Sequence, residues 1–436
     1  MIKQPFLLFS AIAALGGPVS AAAPALTLKD NDTWVMAGDS ITAQRLHSNY
    51  IEAFYRTRYP QWHLHFRNSG IGGNRTGSIL ARFDYDVAAW KPTIVSIELG
   101  MNDVGVPNPD SPDAAAGYVA GMKQLAEQVR ALPAQALLIS SSPVNDGSLM
   151  EAWASVRCRT IHSFTVALVE LGKKENLLVV DQYHPLMNLW GPNKLYEDAG
   201  TLAARARELK PATRFAELKT LQAFAKSWDG KPAGIPLGGD AVHTGPVGQY
   251  TMAATILRVL NAERDVSSAT LKPDGTVVAA KNCKISDVVA RGGKLSFVRL
   301  DERSPWPVLP AAAAAIQLMP EIADLSRYLL QIPGLPAAKY RVSMNDQPVA
   351  TLSREALAKG WNMSTVVDGP IGERATRILD LINQLQLPLN TAWREASKAK
   401  NPEKIAAAQK AIDEREAKVQ AACQPEAIRF AIEPVK

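Results

Sequence analysis

Short apolar runs recur along the first 260 or so residues, separated by longer stretches of helical periodicity. Residues 33–37 (TWVMA), 63–67, 93–99 (TIVSIEL), 136–140 (ALLIS) and 176–181 (NLLVVD) read as strands. Most are near-continuous in apolar or β-branched residues, the pattern of strands covered on both faces. Residues 112–132 have the length and periodicity of a helix. Strand–helix alternation at this spacing predicts a parallel sheet in an α/β sandwich. In such sheets ligands sit outside the carboxyl ends of the strands. Ser40, Gly73 and Asn102 each follow an expected strand.

Residues 182–231 form a long polar stretch, helical in pattern over 197–226 and placed to cover part of the cleft. Residues 247–262 read as the closing helix of this unit. The pattern changes near Asp265. Residues 271–277, 293–300 and 339–344 read as strands of an antiparallel sheet, with turns at Asp274-Gly275 and Asn345-Asp346. Residues 371–422 read as helical, broken at Pro388 and Pro402. No fixed-period repeat is visible. The expected division is a first domain over 30–262 and a mixed α+β extension over 263–436.

The N-terminus changes the picture by adding a location. Lys3 precedes an apolar stretch over 6–15, and small residues follow over 18–23. This is the three-part form of a secretory signal peptide over residues 1–22, with cleavage after Ala21 or Ala22. It predicts a secreted or periplasmic protein. No other segment offers about 18 apolar residues free of charge, so no transmembrane segment is expected. The chain of 436 residues is 47% hydrophobic and 21% charged, which are globular values. Its formal charge of +6 is not gathered into a Lys/Arg run with interleaved aromatics, which argues against a nucleic-acid partner. Cys158, Cys283 and Cys423 make neither a disulfide framework nor a zinc spacing. Cys283 and Cys423 both fall in the C-terminal part, where pairing and free thiols are equal alternatives.

Candidate chemistry begins at Gly38-Asp39-Ser40. A tight turn ending in Ser at a strand end projects the hydroxyl into the crevice, and the helix behind it supplies N–H groups and positive dipole. Alone, the tripeptide is more often a turn and helix cap than a nucleophile. It is not the GxSxG elbow, since Thr42 stands where the second Gly would be. Asn68-Ser69-Gly70-Ile71-Gly72-Gly73-Asn74 offers a bare backbone N–H at Gly73, and Glu98-Leu99-Gly100-Met101-Asn102-Asp103 offers a side-chain amide. Far downstream, Asp240-Ala241-Val242-His243 places an acid three residues before a histidine. Serine needs a base to take its proton, and imidazole needs its tautomer fixed by a carboxylate.

Residues 33–262 resemble the SGNH hydrolases, the GDSL esterase/lipase family, in four blocks: Ser in GDS, Gly in the second, Asn in GxND, and DxxH. Ile41 stands where the family usually has Leu. The resemblance implies a three-layer α/β/α sandwich with Ser40 as nucleophile, His243 as base and Asp240 as its orienting acid. It also implies an oxyanion hole of the Ser40 N–H, the Gly73 N–H and the Asn102 amide. No cofactor and no metal are called for. Asn74, with Arg75 beside it, is a candidate substrate contact, helix capping being its plainer reading. Asp103 reads as a brace for the loop after the third strand, and Asp39 as an anchor of the nucleophile loop. Trp190 and Tyr196 are candidates for a sugar platform, with packing the plainer reading. Among the other histidines only His184 follows an acid, Asp181, by three residues; the block's place before the closing helix favours His243.

Within the resemblance, the leader and the long extension favour hydrolysis of O-acyl esters, above all acetyl groups, on a carbohydrate or polysaccharide, since family members of this sort commonly deacetylate plant or cell-wall sugars. A lysophospholipase or short-chain aryl esterase is the alternative reaction. A non-catalytic glycan-binding protein is the alternative of another class.

Overall fold

The computed structural model describes residues 26–105, 108, 111, 113–144, 156–189, 239, 240 and 242–435. The expected leader over 1–22, most of the 182–231 stretch, and Trp190 and Tyr196 lie outside the described residues. Five strands, β1 (Thr33–Gly38), β2 (His65–Gly70), β3 (Ile94–Glu98), β4 (Gln135–Ile139) and β5 (Leu178–Val180), form one sheet in the order β2-β1-β3-β4-β5. Every pairing in it is parallel. The three central strands are buried almost throughout, which is why they read as continuous apolar runs. The second strand starts at His65 instead of 63, because the His63 amide donates to Asp30 Oδ1 (2.6 Å) and not to a neighbouring strand.

Helices α1 (Ser40–Ala43), α2 (Leu46–Arg58), α3 (Thr76–Asp86), α4 (Ala116–Arg130), α5 (Val156–Glu175), α6 (Tyr183–Leu189) and α7 (Pro246–Val259) surround the sheet. Helix α2 packs on α7, and α3 on α4 on α5, so helices cover the sheet in two layers. This is the α/β sandwich the strand pattern predicts. The strand order reverses direction between β1 and β3, and in open parallel sheets the binding crevice opens at such a point. Ser40 follows β1 directly.

Beyond residue 263 the observed elements differ from the expected ones. The segment 271–277 is mostly a turn: β6 (Asp265–Leu271) and β7 (Val277–Lys281) flank it, and Asp274 Oδ1 accepts from the Thr276 amide at 2.9 Å. Strands β8 (Cys283–Arg291), β9 (Lys294–Asp301), β10 (Arg327–Gln331), β11 (Lys339–Met344), β12 (Gln347–Ser353), β13 (Trp361–Asn362) and β14 (Ile428–Pro434) complete two sheets. One is antiparallel, in the order β12-β11-β14-β9-β8; the other, β13-β10-β6-β7, contains a parallel pair, β10 with β6. Helices α8 (Gly369–Lys398) and α9 (Pro402–Ala422) follow β13.

Helix α8 runs unbroken past Pro388. A proline inside a helix leaves the carbonyl four residues earlier without its amide. That carbonyl, of Gln384, accepts from Arg415 Nη1 of α9 at 2.6 Å, which offsets the loss. Pro402 occupies the first turn of α9, where its missing N–H costs nothing, and the Asn401 side chain caps the helix.

The α8–α9 pair packs against the first domain, not beside it. Trp393 stacks on Trp90 at 3.5 Å between ring centroids, and both belong to the core that contains β1 to β4. A second core, with Phe297, Tyr328, Tyr340 and Phe430, lies between the C-terminal sheets. Strand β2 is the sheet's edge, and its unpaired main-chain groups need partners. Helix α8 supplies them: Gln386 Oε1 accepts from the Asn68 amide, Gln386 Nε2 donates to the Phe66 carbonyl, and Asn390 Nδ2 donates to the Asn68 carbonyl. Cys283 and Cys423 form no disulfide. The Cys283 thiol faces the Ser268 carbonyl (3.4 Å), and Cys423 closes α9, buried.

Candidate active site

Three strand ends and one turn before α7 converge here. At the end of β1 a Cβ on Gly38 would collide with Thr42 Oγ1, so glycine is what allows α1 to fold back so tightly. Asp39 caps α1 by accepting from the Ile41 amide at 2.9 Å, which leaves Ser40 at the first helical position. His243 Nε2 lies 2.8 Å from Ser40 Oγ, and His243 Nδ1 lies 2.8 Å from Asp240 Oδ2. A carboxylate only accepts, so Nδ1 carries the ring proton and Nε2 is left to accept from the serine hydroxyl.

The 240–243 turn is itself tightly built. Asp240 Oδ1 accepts from the amides of Val242 (2.8 Å) and His243 (2.9 Å), and the Asp240 amide donates to the His243 carbonyl (2.9 Å). Partial burial pushes the Asp240 carboxyl up, but these two amides and the imidazole outweigh it and hold it well below the usual carboxylate range. Asp240 therefore stays ionised opposite the ring.

The loop between β2 and α3 turns over residues 71–74, where the Asn74 amide donates to the Ile71 carbonyl at 3.2 Å. Gly73 has φ +75°, a left-handed conformation that glycine adopts without strain. A Cβ on Gly72 would stand 3.8 Å from Ser40 Cβ, so this loop lies against Ser40. After β3, Asn102 Nδ2 donates to Asp39 Oδ2 (3.2 Å) and to the Asn74 carbonyl (3.1 Å). One amide thus ties the Asp39-Ser40 turn to the glycine loop.

Residues 36–212 match the GDSL-like Lipase/Acylhydrolase family, a stretch that includes Ser40, Gly73 and Asn102. This region belongs to that family. A curated relative, an acetylxylan esterase from Geobacillus stearothermophilus, is 40% identical over 55 residues, 13% of this chain and 25% of the relative. The match thus spans about a quarter of that relative's length. Among solved structures, one titled a gut microbial diltiazem-metabolizing enzyme is 19% identical, with a TM-score of 0.71 over 94% of this chain and 99% of the other. That likeness extends the shared fold through the C-terminal sheets and helices. The Geobacillus stearothermophilus acetylxylan esterase structure is 20% identical, with a TM-score of 0.38 over 54% of this chain and 96% of that one.

Within this GDSL-like domain the neighbours divide by role. Asn74, read from sequence as a substrate contact, has its side-chain oxygen engaged by Arg82 Nε at 2.9 Å. Asp103 Oδ1 accepts from the Thr76 amide (2.9 Å) and hydroxyl (2.8 Å), bracing the start of α3. His184 and Asp181 form a pair of their own at 2.6 Å, on the far side of the sheet beyond β5.

Several residues that support the site escape sequence reading. Glu98, at the end of β3, accepts from Thr42 Oγ1 at 2.6 Å. Burial, reinforced by the charge of Asp39, pushes the Glu98 carboxyl up to about 8, and burial likewise raises Asp39 to about 6. Gln249 of α7 holds His47 through its amide (3.1 Å) and ring (2.8 Å), and reaches Gln44 at 2.6 Å. Arg82 and Asp86 carried the one usable signal, an opposite-charge pair four residues apart on a helix directly after the glycine loop.

Proposed function

We propose that the chain is an exported serine esterase that removes O-acyl groups, above all acetyl, from a carbohydrate or polysaccharide. The observation that carries this reading is the line Asp240–His243–Ser40, with both contacts at 2.8 Å. His243 takes the Ser40 proton as Oγ attacks the ester carbonyl. The tetrahedral oxyanion is held by the Ser40 and Gly73 amides and the Asn102 side chain, whose Nδ2 gives up its longer contact, with Asp39 Oδ2, to donate to it. His243 then protonates the leaving alcohol, and water repeats the sequence on the acyl-enzyme. The acetyl and glycan parts of the reading draw support from the name of the curated relative and from the exposure of Gly72, Gly73 and Asp240. Export rests on the signal-like pattern over 1–22; among the described residues no helix is long and apolar enough to cross a membrane.

Labelling with a fluorophosphonate tests the chemistry: wild type is modified at Ser40, and Ser40→Ala takes up no probe. An inert wild type returns the reading to a glycan-binding protein. A panel of acetylated xylan, pectin and peptidoglycan against esters of increasing acyl length tests the substrate. Preference for long acyl chains overturns the carbohydrate reading.

A further inference from the structure

The C-terminal helix α8 reaches the site through a buried chain of charges. Arg394 Nε donates to Asp86 Oδ1 at 2.7 Å, across 308 positions of sequence. Asp86 Oδ2 accepts from Arg82 Nη1. Arg82 then spends its remaining nitrogens on the site's main chain and loop: Nε on Asn74 Oδ1 (2.9 Å), and Nη2 on the Ser69 carbonyl (2.7 Å) and the Gly38 carbonyl (3.5 Å). The three side chains are 13%, 1% and 5% exposed from Arg394 to Arg82.

We propose that Arg394 is a positioning residue for the oxyanion loop, acting through Asp86 and Arg82 on Asn74. The inference rests on reading Gly73 and Asn102 as oxyanion donors. A guanidinium is a rigid plane, so fixing Nη1 on Asp86 also fixes the directions of Nε and Nη2. Asn74 in turn presents the carbonyl that accepts from Asn102, so the loop and the amide are set together. Asp86 Oδ1 has two partners, Arg394 and the Ser69 hydroxyl at 3.4 Å. Removing Arg394 leaves that oxygen with the longer contact, and the carboxylate and Arg82 are free to turn. The C-terminal region would then be part of the catalytic apparatus and not an appendage.

The test uses the full chain and separates positioning from docking. The same helical pair is also anchored by Glu416, which accepts from Arg67 Nη1 (2.6 Å) and pairs with His65 (2.8 Å) near the opposite end of β2. Arg394→Met is expected to lower kcat on 4-nitrophenyl acetate about tenfold with KM within twofold, since small misplacements remote from the chemistry are costly. Hydrogen exchange at residues 71–75 should quicken, and Arg394→Lys should restore most of both. Glu416→Gln should lower Tm yet leave kcat and exchange at 71–75 unchanged. Unchanged kcat and exchange in Arg394→Met overturn the proposal, as does an equal effect of Glu416→Gln on both. If Arg394→Met does not fold, Arg394→Gln carries the same readouts. A wild type that neither hydrolyses esters nor takes up fluorophosphonate refutes the esterase reading, and the exchange comparison still decides the relay.

Discussion

Two Asp-x-x-His turns in this chain have nearly the same local structure. In the first, Asp181 accepts from the His184 amide (3.2 Å) and contacts its ring Nδ1 (2.6 Å). In the second, Asp240 makes the same two contacts with His243, at 2.9 and 2.8 Å. Both rings are thereby fixed in one tautomer by a carboxylate one turn away. What differs is where the fold delivers each ring. His243 Nε2 meets a hydroxyl at the carboxyl end of β1, next to the point where strand order reverses, whereas His184 follows β5 at the sheet's far edge and packs edge-on against His162. Burial does not separate the two pairs in the proposed direction: the His184 side chain is 15% exposed and that of His243 is 27%. An oriented imidazole is thus a cheap local motif, and its function is set by where the fold delivers it.

The largest expected effect would break or establish this contrast. His243→Ala should lower acyl transfer by about 10⁴-fold or more, and His184→Ala should leave it within about twofold. Turnover of short-chain esters by the two purified variants is the measurement, and a reversed order reassigns the base. Replacing the acids sharpens it further. Asp240→Asn keeps the turn's shape but favours the wrong tautomer, so kcat should fall by about 10³–10⁴, while Asp181→Asn should change it little. Comparable losses in both would mean that the second dyad also serves the reaction.

Next in size is the Asn102 amide beside the His243 site. Asn102→Ala removes the proposed oxyanion donor together with its ties to Asp39 and Asn74. Loss of such a donor costs roughly 3–4 kcal/mol, so kcat should drop by about 10²–10³ with KM little changed. Full turnover in this variant would remove Asn102 from the oxyanion hole.

Local chemistry made this site legible in the sequence. Ser40, Gly73 and Asn102 each sit within a few residues of a strand end, and Asp240 and His243 are one turn apart, so each block carries its own signal. The parallel sheet was legible for a related reason, since strands covered on both faces leave continuous apolar runs. The C-terminal half lacks such signals. Strand β8 alternates only weakly and is largely exposed, and β10 is five residues long. Gln386, Asn390 and Arg394 are polar residues four apart in a helical segment, and that spacing carries no mark of burial. Their partners, Asn68 and Asp86, lie more than 300 positions away, and nothing in the spacing reveals that α8 serves as the neighbour strand β2 lacks. The unbroken course of α8 past Pro388 depends likewise on Arg415 of the next helix.

The smallest effect concerns what lies beneath the active turn, where Glu98 holds Thr42. Burial keeps the folded-state Glu98 carboxyl protonated to about pH 8, against an ordinary value of 4.5. The folded chain therefore binds the extra proton, and the stability this group contributes is full below about pH 4.5 and is lost as pH rises through 8. Asp39, raised to about 6 by burial, acts in the same sense at lower pH, and His47, pushed down to about 4 by burial, acts in the opposite sense below 6.5. Above pH 6.5 Asp39 and His47 no longer contribute, and because burial also raises the Glu52 and Asp86 carboxyls, it is the difference between wild type and a Glu98 variant that isolates Glu98. Between pH 6.5 and 8 the Glu98 contribution should fall by at most about 1.4 kcal/mol per pH unit, so Glu98→Gln, which keeps an acceptor for Thr42 but cannot ionise, should lose stability less steeply than wild type. Urea denaturation midpoints of the two proteins at intervals of half a pH unit give the comparison. Parallel profiles would mean that Glu98 is already ionised beneath Ser40, and the nucleophile turn would then rest on a buried charge instead of a neutral acid.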